Sequence, residues 1–342
     1  MSEVRRGISS EQGNAIVWDG QSRRFYEVWY LKLNHRATGC GLWLRYTFLS
    51  PVAGTGDPVA ELWGIFFDPH DPKRNQAMKQ TLPASETGMG RETFSLRFGS
   101  AELTNASARG TLRRDSEAMA WDLAWTPNPE TFAPFPMSAM YRTRIPKTKF
   151  LSPNLSIRFR GSFTVHGETY VCDGEPGQQA HLWGTKSADQ WAWAHCNAFE
   201  EDENAVFEGL SASVRIGIMK IPNLTMLHLR AEEGSYTFNS VMQLFTNKSR
   251  PGIERWEFSG ENQRWQLHGV ITARIDDFVG VRYIDPDGAP LYCHNSKVAS
   301  CEIALCEPTG GAWYPVDKLT SHGTTAFEWV SRAPDPRVPI RI

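Results

Sequence analysis

The densest concentration of groups able to do chemistry lies in the segment 181–199, HLWGTKSADQWAWAHCNAF. If 191–197 is one strand, period-two alternation puts Trp191, Trp193, His195 and Asn197 on one face and Ala192, Ala194 and Cys196 on the other. Two indoles, an imidazole and a carboxamide make a poor closed core, because each polar atom would need a buried partner. They make a good wall for an apolar pocket with a few polar anchors. A packed core around a satisfied histidine fits the segment equally well. His181 follows Gly174-Glu-Pro-Gly177 and is expected in a loop over a barrel mouth, where an imidazole could act as general acid or base; a structural role is the competing reading. Glu27, in Glu27-Val-Trp-Tyr30, is a candidate proton donor if it points inward beside Trp29 without a basic partner. Pairing with Arg23, Arg24 or Arg45 would instead make it a purely structural group.

Strands must position these groups. Leu42, Leu44, Tyr46 and Phe48 alternate with Trp43, Arg45, Thr47 and Leu49; Phe94, Leu96 and Phe98 repeat the pattern, as do Trp121, Leu123 and Trp125. In the second half, alternation recurs from Phe163 to Ile284, with tight turns expected at His166-Gly167 and at Asp285-Pro-Asp-Gly288. Repeated short strands point to barrels or sandwiches. Helical periodicity is poor, and 74–82 is the one short helix expected. The proline-rich passage TPNPETFAPFP, which starts at Thr126, cannot carry a central ladder. The expected division is therefore a β-domain over 1–145, a linker over 146–158 and a second β-domain over 159–342. Leu62-Trp63-Gly64 and Leu182-Trp183-Gly184 are thin support for a duplication, which chance explains as well.

Composition narrows the function. The 342 residues suffice for two domains, and a net charge of -2 gives no electrostatic case for nucleic acid or an anionic membrane. No stretch approaches the roughly 18 apolar residues that span a bilayer, and the start MSEVRRGISSEQGN lacks an apolar signal region, so a cytoplasmic location is expected. The six cysteines have no zinc spacing and are expected as reduced thiols in strands. P-loop, GxGxxG, GxSxG and HExxH patterns do not occur, so no cofactor and no metal are expected. Thirteen Trp and 18 Phe lean toward an apolar cavity, hence a hydrophobic small-molecule partner; oligomeric state is not readable.

Trp183-Gly184 followed by Trp191-x-Trp193-x-x-Cys196-Asn197-x-Phe199 resembles the central signature of tocopherol cyclase and its bacterial relatives. Glu27-Val-Trp-Tyr30 with GLWLRYTF is similar to the wider lipocalin-like group that includes carotenoid hydratases (hydroxyneurosporene synthases) and AttH-like proteins, and VRYIDPDGAPLYCHNSKVASCEIAL has the look of their closing strands. The resemblance implies an all-β chain of two lipocalin-like (calycin) barrels or half-barrels in tandem. It also implies cofactor-free acid catalysis on a hydrophobic isoprenoid-, polyene- or polyketide-like molecule: a double bond is protonated and the cation is captured by a hydroxyl or by water. Under that reading His181, His195 and Glu27 are the catalytic candidates, and Trp29, Trp183, Trp191, Trp193 and Asn197 contact the substrate. The hydratase branch tends to carry an acid near the His-x-Trp-Gly step, whereas Ala180 and Leu182 flank His181 here. That departure keeps a non-catalytic binder or carrier open as the alternative, with a degenerate pocket as a third option.

Overall fold

The computed structural model describes residues 7–216 and 219–342, and the alternating segments are strands almost throughout. In the first half these are β1 (Phe25–Asn34), β2 (Gly41–Ser50), β3 (Val59–Phe67), β4 (Gln76–Pro83), β5 (Thr87–Gly90), β6 (Ser95–Phe98), β7 (Ala101–Thr104), β8 (Ser107–Arg114) and β9 (Glu117–Ala124). Two longer strands follow, β10 (Thr148–Val165) and β11 (Glu168–Gly184). They form one antiparallel sheet in the order β4-β3-β2-β1-β11-β10-β9-β8-β7-β6-β5. The edge strands β4 and β5 are separated only by the turn Ala84–Glu86, so the sheet curls into a nearly closed barrel. Trp29, Tyr46, Phe48, Phe98 and Trp121 pack its interior. A Cβ on Gly64 would come within 2.6 Å of Met119 Sδ in that core.

The second sheet contains β12 (Gln190–Cys196), β13 (Val206–Ile216), β14 (Met219–Ala231), β15 (Gly234–Phe238), β16 (Lys248–Pro251), β17 (Arg255–Glu261) and β18 (Gln266–Thr272). It is completed by β19 (Val279–Ile284), β20 (Pro290–Thr309) and β21 (Ala312–Ser331), in the order β15-β14-β13-β12-β21-β20-β18-β17-β16 with β19 also on β20. Its interior is a separate core that includes Ala192, Ala194, Phe207, Trp256 and Phe327. A third core of Tyr26, Tyr30, Trp43, Phe150, Trp193 and Tyr283 lies where the outer faces of the two sheets meet. The architecture is the expected all-β, lipocalin-like one, and all six cysteines are free and buried. No helix among the described residues is long and apolar enough to cross a membrane.

The expected domain boundary does not hold. The sheets change over between Gly184 and Gln190, and 148–158 lies inside β10 rather than in a linker. Pro153 misled as to the boundary and Pro176 as to a loop before His181: Pro153 sits at a register shift between Leu151 and Asn154, and β1 stops pairing β11 at Gly177, beside Pro176. The helix expected over 74–82 is instead a 3-10 turn (Pro72–Arg74) followed by β4, an edge strand that tolerates its terminal proline. Both expected turns form, with positive φ at His166 (54°), Gly167 (78°) and Gly288 (81°).

Candidate active site at the seam between the sheets

Glu27, Trp29 and His181 do come together, but as a latch rather than as a pocket. In the β1–β11 ladder Trp29 stands opposite His181 and Glu27 opposite Trp183. The imidazole stacks on the Trp29 indole (centroids 4.6 Å, planes 6° apart), with the tilted Trp183 ring 4.7 Å away between centroids. His181 Nε2 lies 2.9 Å from Glu27 Oε1, and its Nδ1 2.7 Å from the Gly13 carbonyl oxygen. The Glu27 carboxylate also accepts the backbone N–H groups of Val17 and Trp18, both at 2.7 Å, and Trp29 Nε1 donates to the Asn14 carbonyl. These groups therefore satisfy the backbone of an N-terminal segment that caps the barrel. His181 is in mid-strand rather than in a loop, is only 1% exposed and lines neither of the two cavities described below.

The alternation expected over 191–197 is present. Ala192, Ala194 and Cys196 enter the core of the second sheet, while Trp193 packs in the layer between sheets, with Trp191 half-buried beside it. His195 Nε2 lies 2.8 Å from the Leu155 carbonyl oxygen; burial, then Lys32, holds its pKa well below the usual histidine range. Asn197 donates to the Gly177 carbonyl oxygen at 2.9 Å, so it clamps one sheet to the other. None of Trp191, Trp193, His195 or Asn197 lines the two cavities.

The group at the cavity is one the sequence reading missed. Glu208 on β13 stands in register between His195 on β12 and His228 on β14. Its carboxyl is met across the seam by Ser152 Oγ (2.6 Å) and Gln178 Nε2 (3.1 Å), and within its own sheet by Trp193 Nε1 (3.0 Å). Burial raises the Glu208 pKa despite those hydrogen bonds, since an apolar surround penalises the charged form. Gln178 Oε1 has no partner among the described residues; turned about its Cγ–Cδ bond, the same side chain would accept the proton of a neutral Glu208. Glu208, Phe132, Phe150, Leu210, Met226 and His228 line a cavity of about 10 Å³, room for about one water. Burial pushes His228 down to about 4, its Nδ1 pairs with Thr237 Oγ1 (2.8 Å), and Phe132 stacks on its ring at 4.2 Å.

The proline-rich passage supplies the cover. It leaves β9, crosses the seam and is fixed by Asn239 Nδ2 on the Pro134 carbonyl (2.6 Å) and by Tyr141 Oη on the Phe150 carbonyl (3.1 Å). The signal available in the sequence was a lone Glu in VFEGLSASV and a lone His in LTMLHL, each on an otherwise apolar strand. Only the pairing of β13 with β14 makes the two neighbours.

Lys32 on β1 is fully buried in the same layer, 3.2 Å from Asn197 Oδ1 and 3.4 Å from Asn34 Oδ1. Burial pushes its pKa down to about 7. Below that pH the amine is charged in both folded and unfolded chains and the native state bears the full desolvation cost. The cost fades as pH rises toward the unfolded value of about 10.5. We expect Lys32→Met, measured by denaturant unfolding, to stabilise by about 3 kcal/mol near pH 6, net of two unpaired amide oxygens, and by about zero near pH 9. A pH-independent effect would refute the assignment.

With this geometry in place, the chain can be compared with known proteins. Residues 157–328 match the family model described as tocopherol cyclase-like. The chain belongs to that family. The match includes His181, Trp183, Trp191, Trp193, Glu208 and His228 but not Glu27 or Lys32. An uncharacterized protein of Mycobacterium tuberculosis, recorded in strains CDC 1551 and H37Rv, is 26% identical over 291 residues, 84% of this chain and 83% of the relative. Among solved structures, a putative AttH of Nitrosomonas europaea aligns with a TM-score of 0.57 at 13% identity, covering 95% of this chain and 99% of the other. Kievitone hydratase of Nectria haematococca aligns with a TM-score of 0.56 at 10% identity, covering 95% and 93%. At those identities the two neighbours establish the fold.

Proposed function

We propose that this tocopherol cyclase-like protein is a cofactor-free enzyme of the cyclase, isomerase or hydratase kind, acting on a hydrophobic isoprenoid-, polyene- or polyketide-like molecule with Glu208 as proton donor. The observation that carries this reading is a buried carboxyl, its pKa raised by burial, facing aromatic and aliphatic side chains beside a second titratable group. A neutral carboxyl can pass its proton to a substrate double bond. The faces of Phe132 and Phe150 would stabilise the resulting cation. A hydroxyl of the substrate, or water, closes on the cation, and its proton goes to His228 Nε2, which is unprotonated at neutral pH. Proton return from His228 to Glu208 through solvent completes the cycle. In this reading Trp193 and His195 shape the donor, and Glu27, Trp29 and His181 hold the barrel cap. Substrate entry requires the 126–147 passage to lift, because the present cavity has room for about one water.

The test is turnover of a panel of prenylated phenols and polyenes in deuterium oxide. One solvent deuterium on a product carbon is expected, absent with Glu208→Gln. Tight uptake of those compounds with no conversion would favour the carrier reading instead.

A further inference from the structure

A second cavity opens on the same seam. It is a groove of about 670 Å³ between β9 and β10 of the first sheet and β14 and the loop before β13 of the second. The polar side chains on it include three guanidinium groups, Arg158, Arg160 and Arg230, with Asn204 and Thr126, and no carboxylate lines it. Trp125, 6% exposed and packed against Phe159, also lines it; its buried Nε1–H has no hydrogen-bond partner among the described residues. None of the three arginines forms an ion pair among the described residues. Arg158 instead donates to the carbonyl oxygens of Asn197 (3.2 Å) and Glu203. Asp202, nearby, is held by the N–H groups of Asn204 (2.8 Å) and Glu232 (2.9 Å). Desolvation pushes Arg158 and Arg230 below the usual arginine value, a cost that a docked anion would offset.

We infer that this groove binds an oxyanion, a carboxylate or phosphate held by Arg158, Arg160 and Arg230 beside Trp125. A donor-rich concavity is complementary to such a group, because the acids that act on Arg158 and Arg230, Glu203, Glu175 and Asp202, do so from outside the groove and form no ion pair with them among the described residues. Arg230 lies two residues beyond His228 on the same face of β14, about 7 Å along the strand. The groove thus continues the seam that holds Glu208, and an anion there can be free or can be the charged end of an amphipathic molecule.

Calorimetric titration of the full chain with inorganic phosphate, decanoate and decan-1-ol, with Trp fluorescence as a second readout, tests the inference. Arg230→Gln and Arg160→Gln are preferred, because Arg158 also ties β10 to the loop between β12 and β13. Both anions are expected to bind about tenfold or more weakly to each variant at unchanged melting temperature. Decanoate binding more tightly than phosphate would identify an amphipathic ligand, and equal affinity a free anion. Anion affinity indifferent to both substitutions, or decan-1-ol binding as well as decanoate, would overturn the site. Glu208→Gln is expected to leave phosphate affinity unchanged, so the groove and the proton donor fail separately.

Discussion

Glu208→Gln is expected to lower turnover by about 100- to 10,000-fold, the usual worth of a positioned general acid, with little change in stability. Gln keeps the shape of the side chain; its amide oxygen can accept from Trp193 and its amide nitrogen can donate to Ser152 Oγ, while it has no acidic proton to give. Because burial raises the Glu208 pKa, the alkaline limb of the wild-type profile, where the carboxyl ionises, should lie above the ordinary carboxylate value, and the acid limb should lie near 4, where His228 takes up a proton. His228→Phe should lose less if water can take over as base, and it should flatten the acid limb of the profile. The measurement is kcat against pH for wild type and both variants on any substrate found in the deuterium screen. Glu208→Gln turnover within a few fold of wild type would remove Glu208 from the chemistry.

Glu27→Ala is expected to cost about 3–5 kcal/mol of stability. It leaves the Val17 and Trp18 N–H groups and one nitrogen of His181 without the acceptor they share, the Trp18 and His181 groups being buried. Hydrogen exchange of residues 13–18 should speed up well ahead of the rest of the chain, since that segment is the part the carboxylate holds. His181→Phe should lose less than Glu27→Ala, because the stacking on Trp29 survives. Unfolding measurements that place Glu27→Ala within about 1 kcal/mol of wild type would sink the latch. A catalytic defect in His181→Phe with the cap intact would return His181 to the chemistry.

Period-two alternation was enough to identify the strands and the all-β class, because a residue's face in a strand depends only on its parity. Ala192, Ala194 and Cys196 facing away from Trp193 and His195 follows from that alone, and so do the turns at His166-Gly167 and Gly288, where a positive φ is required. Parity does not say what lies across from a face. The indoles and imidazoles around 181–199 drew attention because they are dense in sequence, yet two separate environments divide them: a barrel cap at His181 and a clamp between sheets at His195 and Asn197. Glu208 and His228 are separated by a hairpin in the chain and become neighbours only through strand pairing. The donors to Glu208, Ser152 and Gln178, come from the other sheet altogether. The proline-rich passage from Thr126 pointed to a domain boundary after it, because proline cannot continue a ladder, which holds locally. Whether such a segment separates two bodies or straps them together depends on what it packs against, and Phe132 on His228 was decided only when the two sheets met face to face.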